Sequence, residues 1–189
     1  MLSESARSQL QADRETFQQW LAGSRSTPLL LPRRDAYNVC AVVFPTTIAL
    51  LRFHARYVVT MFAGRLPWSN VKTVLYRWIG VKIGKGVYIA PWTYFDAMFP
   101  SMIEVGDGCL IGGGSKLLTH ETTCAGFRIG GVRIGANSVI GAFSIVRSGV
   151  SIGSNVTTGL GSVVCKDVPD GRTALGNPAR ILRKEDANA

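Results

Sequence analysis

Residues 128–165 read RIGGVRIGANSVIGAFSIVRSGVSIGSNVTTGLGSVVC, and they repeat with a period of six. The sixth positions are aliphatic except for one Thr: Ile134, Ile140, Val146, Ile152, Thr158 and Val164. This period fits neither an amphipathic helix, which repeats every 3.6 residues, nor an alternating strand, which repeats every two. It fits a coil of three short strands, in which each strand points one aliphatic side chain inward and Gly or Asn turns the corner. The stretch therefore predicts stacked coils, each hydrogen-bonded to the coils above and below it.

The same six-residue phase appears in two upstream runs. Their sixth positions are Ile83 and Ile89, then Val105, Ile111 and Leu117. Two segments break the phase, FDAMFPSM at residues 95–102 and a second one at residues 120–128. Loops carried by a rigid scaffold are frequent places for binding and catalysis, so we expect the chemistry at these breaks.

These repeats resemble the left-handed parallel β-helix of the hexapeptide-repeat acyltransferases. The stretch GSVVCKDVPDGRTALGNPARIL, residues 161–182, is similar to the closing signature of the maltose, galactoside and xenobiotic O-acetyltransferases. The left hand comes from this resemblance, because parallel crossovers are otherwise right-handed. We therefore expect a mainly β fold, a left-handed parallel β-helix with an N-terminal α-helical extension and a short C-terminal tail. The expected divisions are a helical extension at 1–80, the catalytic β-helix at 81–175, and a tail closing the coenzyme A site at 176–189.

Apolar residues at helical spacing predict an amphipathic helix from Ser3 to Leu21, which ends at Gly23 in the left-handed conformation. A linker is predicted from Gly23 to Arg34, because Ser and Pro are frequent there. Within the linker, residues 29–31 are all Leu. We expect them to contact the body of the protein.

Residues 36–63 are the most hydrophobic part of the chain and are long enough to cross a bilayer. Arg52, His54 and Arg56 interrupt this segment, and each central Arg costs about 2.5–3.5 kcal/mol on an insertion scale. A spanning helix is therefore disfavoured. Two interpretations stay open: a helix pair bent near Pro45 and packed on a trimer of the chain, or an interfacial helix whose Arg side chains meet lipid phosphates in a peripheral membrane contact.

A further helix is predicted between Pro67 and Ile79, with Ser69 as its N-cap. Its apolar residues share one face: Val71, Val74, Leu75 and Trp78. We expect that face to cover the open end of the first coil, where strand edges and core would otherwise be exposed. The tail after Pro169 is expected to close the other end.

Positive charge is concentrated before the repeats. The formal net charge of the 189 residues is +9, and ten Lys or Arg stand against four acids before Ile79, compared with eleven against eight from Ile79 onward. This balance suits nucleic acid, an anionic membrane or a phosphorylated ligand. Because the chain lacks an RNA-binding signature and an interleaving of aromatic and basic residues, we expect no nucleic-acid partner.

The four cysteines are far apart in the sequence and none forms a CxxC pair: Cys40, Cys109, Cys124 and Cys165. This spacing argues against a zinc site and is typical of reduced thiols. The start of the chain is polar and lacks the apolar stretch of a secretion signal. We therefore expect a cytoplasmic protein, with or without contact to the inner face of the membrane.

His120 lies in the sequence LLTHE, where the second break begins. It matches the histidine that the resembling family uses as general base. An acceptor hydroxyl or amine must lose its proton as it attacks a thioester carbonyl, and imidazole titrates close to the working pH. Glu121 follows it, and we expect its carboxylate to orient or polarise the ring. The alternative is a surface loop histidine without a role.

Asp96 falls where similar acetyltransferases carry an aspartate near the acceptor hydroxyls, so the resemblance implies an acceptor-binding residue. The alternative is that Asp96 only caps the loop at residues 95–102. The sugar O-acetyltransferases often place Asn where this chain has Ala90. That departure argues against galactoside or maltose as the acceptor.

For the donor, the resemblance implies acetyl-coenzyme A, bound in the groove between neighbouring subunits of a homotrimer. Coil backbone would follow the pantetheine arm, and basic side chains would meet the phosphates. The matching positions are Ala142, Gly159, Leu160, Lys166, Arg180 and Arg183. Among them, Lys166 and Arg180 are the main candidates for the phosphate contacts.

Together these features favour an acyltransferase that moves an acetyl or other short acyl group from acetyl-coenzyme A to a hydroxyl or amine of a small molecule or glycan. A γ-type carbonic anhydrase uses the same scaffold but needs three histidines for its metal, whereas this chain has only His54 and His120. We therefore expect no metal. The remaining alternative is a non-enzymatic β-helix that serves as a scaffold or assembly protein.

Overall fold

The computed structural model of the chain describes residues 3–23, 27–32 and 39–182. Its four α-helices precede the repeats: α1 (Glu4–Ala22), α2 (Cys40–Val43), α3 (Thr47–Arg65) and α4 (Ser69–Trp78). A short 3-10 helix (Pro100–Met102) lies between the first two coils. Gly23 ends α1 with a φ of −82°, so the left-handed conformation predicted for it is wrong. The predicted break near Pro45 is confirmed, because α2 and α3 are separated there. Among the described residues, no helix is both long and apolar enough to cross a membrane.

The repeats form stacked coils of three strands each. Coil 1 contains β2 (Lys82–Ile83), β3 (Tyr88–Ile89) and β4 (Tyr94–Phe95), and coil 2 contains β5 (Ile103–Val105), β6 (Leu110–Ile111) and β7 (Lys116–Leu117). Coil 3 contains β10 (Val132–Ile134), β11 (Val139–Ile140) and β12 (Ile145–Val146), and coil 4 contains β13 (Ser151–Ile152), β14 (Thr157–Thr158) and β15 (Val163–Val164). The other strands are β1 (Leu29–Pro32), β8 (His120–Thr123), β9 (Gly126–Ile129), β16 (Thr173–Gly176) and β17 (Ala179–Ile181).

Equivalent strands of successive coils pair in parallel and build three faces of a prism. Face one consists of β2, β5, β10 and β13, face two of β3, β6, β11, β14 and β16, and face three of β4, β7, β12 and β15. The register places sixth positions opposite each other, as in the pairs Phe95–Leu117 and Val146–Val164. The sixth positions are buried, including the polar exception Thr158, whose hydroxyl accepts the Gly141 N–H at 3.0 Å. The predicted coil is confirmed.

Helix α4 covers the open end of coil 1 with a face that is largely polar. Its residues Lys72, Thr73 and Tyr76 are buried. The Tyr76 ring stacks on Phe95 of coil 1 with centroids 4.4 Å apart, and its hydroxyl donates to the Thr93 carbonyl. Tyr76 therefore joins the cap to the core and to the strand edge at once.

The cap also satisfies backbone groups of coil 1 that have no further coil to pair with. The Ser69 hydroxyl accepts the Ile89 N–H at 2.8 Å, and the Arg77 guanidinium donates to the carbonyls of Ile83 and Gly84. Ser69 is the first residue of α4 and Trp68 is its N-cap, so the prediction of Ser69 as the cap is wrong. The Ser69 hydroxyl serves the edge of the sheet instead of the start of the helix.

The apolar face predicted for α4 does not cover the coil. Val71, Val74 and Trp78 are exposed, and only Leu75 of that set packs against the core. The strands at the open end of coil 1 have unpaired backbone N–H and carbonyl groups, which need side chains that can hydrogen-bond. Aliphatic side chains cannot form these hydrogen bonds, so the polar face of α4 lies on the coil.

A second core lies beside the coils and supports the second phase break. Strand β1 pairs antiparallel with β9, which in turn pairs with β8. Phe17 of α1, Leu31 of β1, and Phe127 and Ile129 of β9 are buried together in this core. The expected contact of residues 29–31 with the body is therefore confirmed.

At the C-terminal end, the tail adds part of a fifth coil. Val168 forms a parallel bridge with Ile152, and β16 pairs with β14. Val168 and Ala174 are buried in the main core. Strand β17 then folds back antiparallel onto β16 along the edge of face two.

Replacing Tyr76 with Ala should destabilise the fold far more than replacing Trp78, two residues away on the same helix. Tyr76 is fully buried and stacked on the core, so its loss should cost about 3–5 kcal/mol of the free energy of unfolding. Trp78 is exposed, and Trp78→Ala should change that free energy by no more than about 0.5 kcal/mol. Urea unfolding of the two variants measures both values. Equal losses of unfolding free energy in the two variants would mean that the side of α4 with Trp78 also packs against the protein.

Candidate active site

Asp96 and His120 meet at the edge where face three turns into face one. Asp96 directly follows β4 in coil 1, and His120 begins β8 just after coil 2. The Asp96 N–H donates to the Leu117 carbonyl, which continues the pairing of β4 with β7. The stacking of two coils thus brings together residues 24 positions apart, with Asp96 Oδ2 lying 2.6 Å from His120 Nδ1.

The carboxylate of Asp96 is completely buried and accepts several hydrogen bonds. Oδ2 accepts the backbone N–H groups of Thr119 at 2.9 Å and His120 at 3.2 Å, and Oδ1 accepts that of Met98 at 2.9 Å. Burial acts to raise the pKa of Asp96. The hydrogen bond and charge of the His120 ring, with the backbone N–H groups of Met98 and Thr119, outweigh burial and leave the pKa below its ordinary value. Asp96 is therefore ionised at neutral pH.

An ionised carboxylate fixes the tautomer of the ring beside it. Because it can only accept hydrogen bonds, the proton on the neutral His120 ring sits on Nδ1 and points to Asp96. Among the described residues, none forms a hydrogen bond with Nε2 of His120. The lone pair of Nε2 is then available to take a proton from a substrate.

The ring of His120 is held on one side by Phe127. The two rings stack with centroids 5.3 Å apart, and 28% of the His120 side chain is exposed. Phe127 lies on β9 and belongs to the second core with Phe17 and Leu31. The N-terminal extension therefore supports the loop that carries His120. The six-residue repeat does not predict the contact of Phe127 with His120, because Phe127 lies in a break of the repeat.

The carboxylate of Glu121 turns away from the ring, contrary to the role expected of it. It accepts two hydrogen bonds from Arg147 Nε, at 2.8 and 2.9 Å, and one from the Ser148 hydroxyl at 2.8 Å. It also lies 3.2 Å from Arg128 Nε. Glu121 thus ties the β8–β9 hairpin to coil 3, and the carboxylate that contacts the His120 ring is that of Asp96.

This placement also revises the role expected of Asp96. A carboxylate with no exposed surface and four donors from its own chain is not open to an acceptor molecule. Association with further subunits can only bury it more. The structure therefore places the Asp96 carboxylate against the His120 ring and not at a surface open to an acceptor. The sequence signal for this pairing was present, because Asp96 and His120 follow strands of the same face in consecutive coils.

The residues matched to donor binding are divided between two edges. Ala142, Gly159 and Leu160 stack at the corner between faces two and three, where the Gly161 N–H donates to the Ala142 carbonyl at 2.8 Å. Arg180 lies on β17 opposite Leu175, at the end of face two. This corner is separated from His120 by the width of face three. A single chain therefore does not bring these residues and His120 into one cleft.

Two aromatic side chains stand out on this corner. Trp92 and Phe143 have positive φ angles of 66° and 60°, a conformation that bulky residues rarely adopt. Both side chains are largely exposed, as is the neighbouring Leu160. The same left-handed φ recurs three residues after the sixth position at other corners, as at Asn137 and Gly161, so it belongs to the turn geometry of the coil. The corner thus presents an apolar ridge along the edge of face three.

The remaining predicted donor residues lie elsewhere. Lys166 follows β15 on the same edge as His120, two coils further along. Arg183 lies outside the described residues. In the part of the chain that the structure describes, no three His, Cys, Asp or Glu side chains are grouped as metal ligands.

Comparison with known proteins places the chain in a family. The family model described as the hexapeptide repeat of succinyl-transferase matches residues 131–166. The candidate acetyltransferase YvoF of Bacillus subtilis (strain 168) is 37% identical over 137 residues, which cover 72% of this chain and 80% of YvoF. A second candidate acetyltransferase, SAR0816 of Staphylococcus aureus (strain MRSA252), is 37% identical over 125 residues, 66% of this chain and 78% of that protein.

Solved structures agree with the fold. The hexapeptide-repeat acetyltransferase VCA0836 of Vibrio cholerae O1 biovar eltor, complexed with acetyl coenzyme A, superposes with a TM-score of 0.62 at 20% identity and covers 73% of this chain and 89% of its own. A maltose O-acetyltransferase of Clostridium difficile 630 gives a TM-score of 0.57 at 22% identity, covering 74% and 89%. The fold is thus the left-handed parallel β-helix, and the chain belongs to the hexapeptide-repeat acetyltransferases, a family of enzymes that use acetyl-coenzyme A as donor.

Replacing Asp96 with Asn should lower the free energy of unfolding by an amount that depends on pH. Because the folded-state pKa of Asp96 lies below the ordinary 3.8, ionised Asp96 stabilises the fold above that value, and the stabilisation is lost as the pH falls through the lowered pKa. The difference between wild type and Asp96→Asn should be largest at neutral pH and shrink below about pH 4. Urea unfolding at several pH values measures it.

The matched control is Asp107→Asn, which removes an exposed carboxylate that accepts one backbone N–H, that of Lys85. It should lose less stability at neutral pH. A loss in Asp96→Asn that is the same at every pH would show that the charge of Asp96 is not what the fold uses.

Proposed function

We propose that the protein transfers an acetyl group from acetyl-coenzyme A to a hydroxyl or amine of a small molecule or glycan, with His120 as general base. The observation that carries this proposal is the 2.6 Å contact between Asp96 Oδ2 and His120 Nδ1. Burying a carboxylate is costly unless the charge is paired and hydrogen-bonded. A scaffold protein would gain nothing from such a buried Asp–His pair. In an enzyme, a buried Asp96 has a function, because it orients the imidazole that acts as base.

In the proposed reaction, Nε2 of His120 accepts the proton of the acceptor hydroxyl or amine while that oxygen or nitrogen attacks the thioester carbonyl. The new bond to the acetyl carbon forms, the carbon–sulfur bond breaks, and the proton passes from His120 to the departing thiolate. The buried Asp96 stabilises the imidazolium that exists between these steps, because a negative charge lies beside Nδ1 throughout. No covalent acetyl-enzyme is required.

We infer a homotrimer from the separation of the two halves of the site. His120 and the corner of Ala142 and Leu160 lie on opposite edges of face three, so one chain offers no cleft that joins them. In a ring of three copies, the His120 edge of one subunit can face the donor corner of the next. The exposed side chains of Phe143 and Leu160 on that corner then gain a partner surface. We expect Arg180, at the end of face two, to meet donor phosphates.

Replacing His120 with Ala should lower kcat by about 10²- to 10⁴-fold, the usual contribution of a general base. The affinity for acetyl-coenzyme A should be unchanged, since the ring is not part of the donor corner. Calorimetric titration with acetyl-coenzyme A and thiol release in the presence of a panel of sugars and amines measure the two quantities. The matched control is His54→Ala on α3, which should keep full activity.

If the wild-type protein does not bind acetyl-coenzyme A, that result would favour a non-enzymatic scaffold. Full activity of His120→Ala on an accepted substrate would place the base elsewhere.

Mixing two impaired variants should restore activity if each site is shared between subunits. Arg180→Glu should raise the KM for acetyl-coenzyme A about tenfold or more, because a charged hydrogen bond to phosphate is lost. Hybrid trimers of His120→Ala and Arg180→Glu contain one site with both residues intact. At low acetyl-coenzyme A, refolding the two together should return about a quarter of the wild-type rate. Arg172→Glu, an exposed cation at the other edge of face two, is the control that keeps activity by itself.

If the mixture is no more active than the average of its two components although hybrids form, the His120 and Arg180 of each site come from the same chain.

A further inference from the structure

Helix α3 carries an apolar stripe that none of the described residues covers. Its residues follow the alternating spacing of three and four that defines one side of a helix: Ile48, Leu51, Ala55, Val58 and Phe62. All five are exposed, and 70% of Phe62 is accessible. The opposite side of α3 carries the buried residues Thr60, Ala63 and Gly64. The stripe is therefore the outer side of a helix that packs only through its inner side.

The stripe continues onto α4. Val74 and Trp78 lie on the side of α4 opposite its buried Tyr76, and 75% of Trp78 is exposed. Ala55 of the stripe and Trp78 line the same shallow groove between the two helices. The two helices thus form one continuous apolar surface, which we call the end surface: Ile48, Leu51, Val58, Phe62, Val74 and Trp78.

The position of α4 sets the direction of the end surface. Its inner face lies on the first coil, where Tyr76 stacks on Phe95, and every further coil lies beyond Phe95. The outer face therefore points along the β-helix axis and away from the coils. Subunits that share a site across face three stand side by side, so they leave the ends of the prism open. Cyclic symmetry then places all equivalent end surfaces on the same side of the assembly.

The charge around the end surface is of one sign. Residues 36–95 contain no Asp or Glu. Among their basic residues, Lys72 is buried under α4 and Lys82 pairs with Glu104. The remaining cations are Arg52, Arg56, Arg65, Arg77 and Lys85. Arg52 and Arg56 line the groove with Trp78. Two copies meeting through this surface would bring cations against cations without one acid to balance them. A surface of anionic groups has the complementary charge.

We propose that the end surface docks the protein on an anionic lipid bilayer. Large exposed apolar patches on a protein mark an interaction site, and helices with an apolar side flanked by Arg lie in the plane of the membrane interface. The Trp and Phe rings enter the boundary of the acyl chains, and the Arg side chains meet lipid phosphates. The catalytic coils then stand upright on the membrane, with the His120 edges facing sideways.

Co-sedimentation of the full chain with vesicles tests this proposal. Wild type should bind vesicles of phosphatidylcholine mixed with phosphatidylglycerol, bind phosphatidylcholine alone much more weakly, and lose affinity as salt is raised. Trp78→Asp and Phe62→Asp should each weaken binding about tenfold or more, because each removes a large apolar contact and adds a negative charge. Leu30→Asp makes the same change at an exposed Leu of β1, outside the end surface, and should bind like wild type.

Acetyl transfer to a soluble acceptor is measured for all variants, because it does not depend on lipid. A failure of docking is thereby separated from a failure of the proposed activity. Two results would overturn the proposal. In the first, wild type does not bind anionic vesicles at low salt. In the second, wild type, Trp78→Asp and Phe62→Asp bind these vesicles equally well. Self-association beyond the trimer that Trp78→Asp abolishes, without vesicle binding, would instead make the end surface a contact between copies.

Discussion

The hydrogen bonds that join each coil to the next are the constraint on which the rest of the structure depends. No coil can satisfy its own backbone groups, so every coil needs a neighbour in register, and the first coil lacks one on its open side. Helix α4 meets this need with Ser69, Tyr76 and Arg77, which bond the free carbonyl and N–H groups of coil 1. The same need decides which side of α4 is buried. Its apolar residues Val74 and Trp78 are consequently left on the outside, where they become available for another surface.

Register between coils also builds the pair of Asp96 and His120. Asp96 and His120 follow paired strands of face three, and stacking alone brings them within hydrogen-bond distance. Three backbone N–H groups and the ring then hold the buried carboxylate in its ionised form. The N-terminal extension contributes from the other side, because Leu31 and Phe127 form a core against which the His120 ring rests. Fold and site are thus two results of one repeating geometry.

The sequence predicted the coil well because a period of six is a strict consequence of three short strands per turn. It also drew attention to His120, since a residue type with useful chemistry stood at a break of the phase, and the catalytic role of His120 stays a prediction. It misplaced α4, because apolar spacing shows that Val71, Val74 and Trp78 share a side but not what that side meets. It assigned the contact with the His120 ring to Glu121, whereas the carboxylate that contacts the ring is that of Asp96. Adjacency in sequence suggested Glu121, whereas the partner is set by pairing between coils, and Arg147 and Ser148 engage Glu121.

The central claim is that buried Asp96 holds the His120 ring with its proton on Nδ1 and leaves Nε2 free as the base. Because the chain has only two histidines, the variant His54→Gln contains His120 alone and gives an unambiguous nitrogen spectrum of one imidazole. Nuclear magnetic resonance of this variant with ¹⁵N-labelled histidine at neutral pH should show a protonated Nδ1 and an unprotonated Nε2, and adding Asp96→Asn should remove that preference. A ring protonated on Nε2, or one whose tautomer is unchanged by Asp96→Asn, would contradict the account.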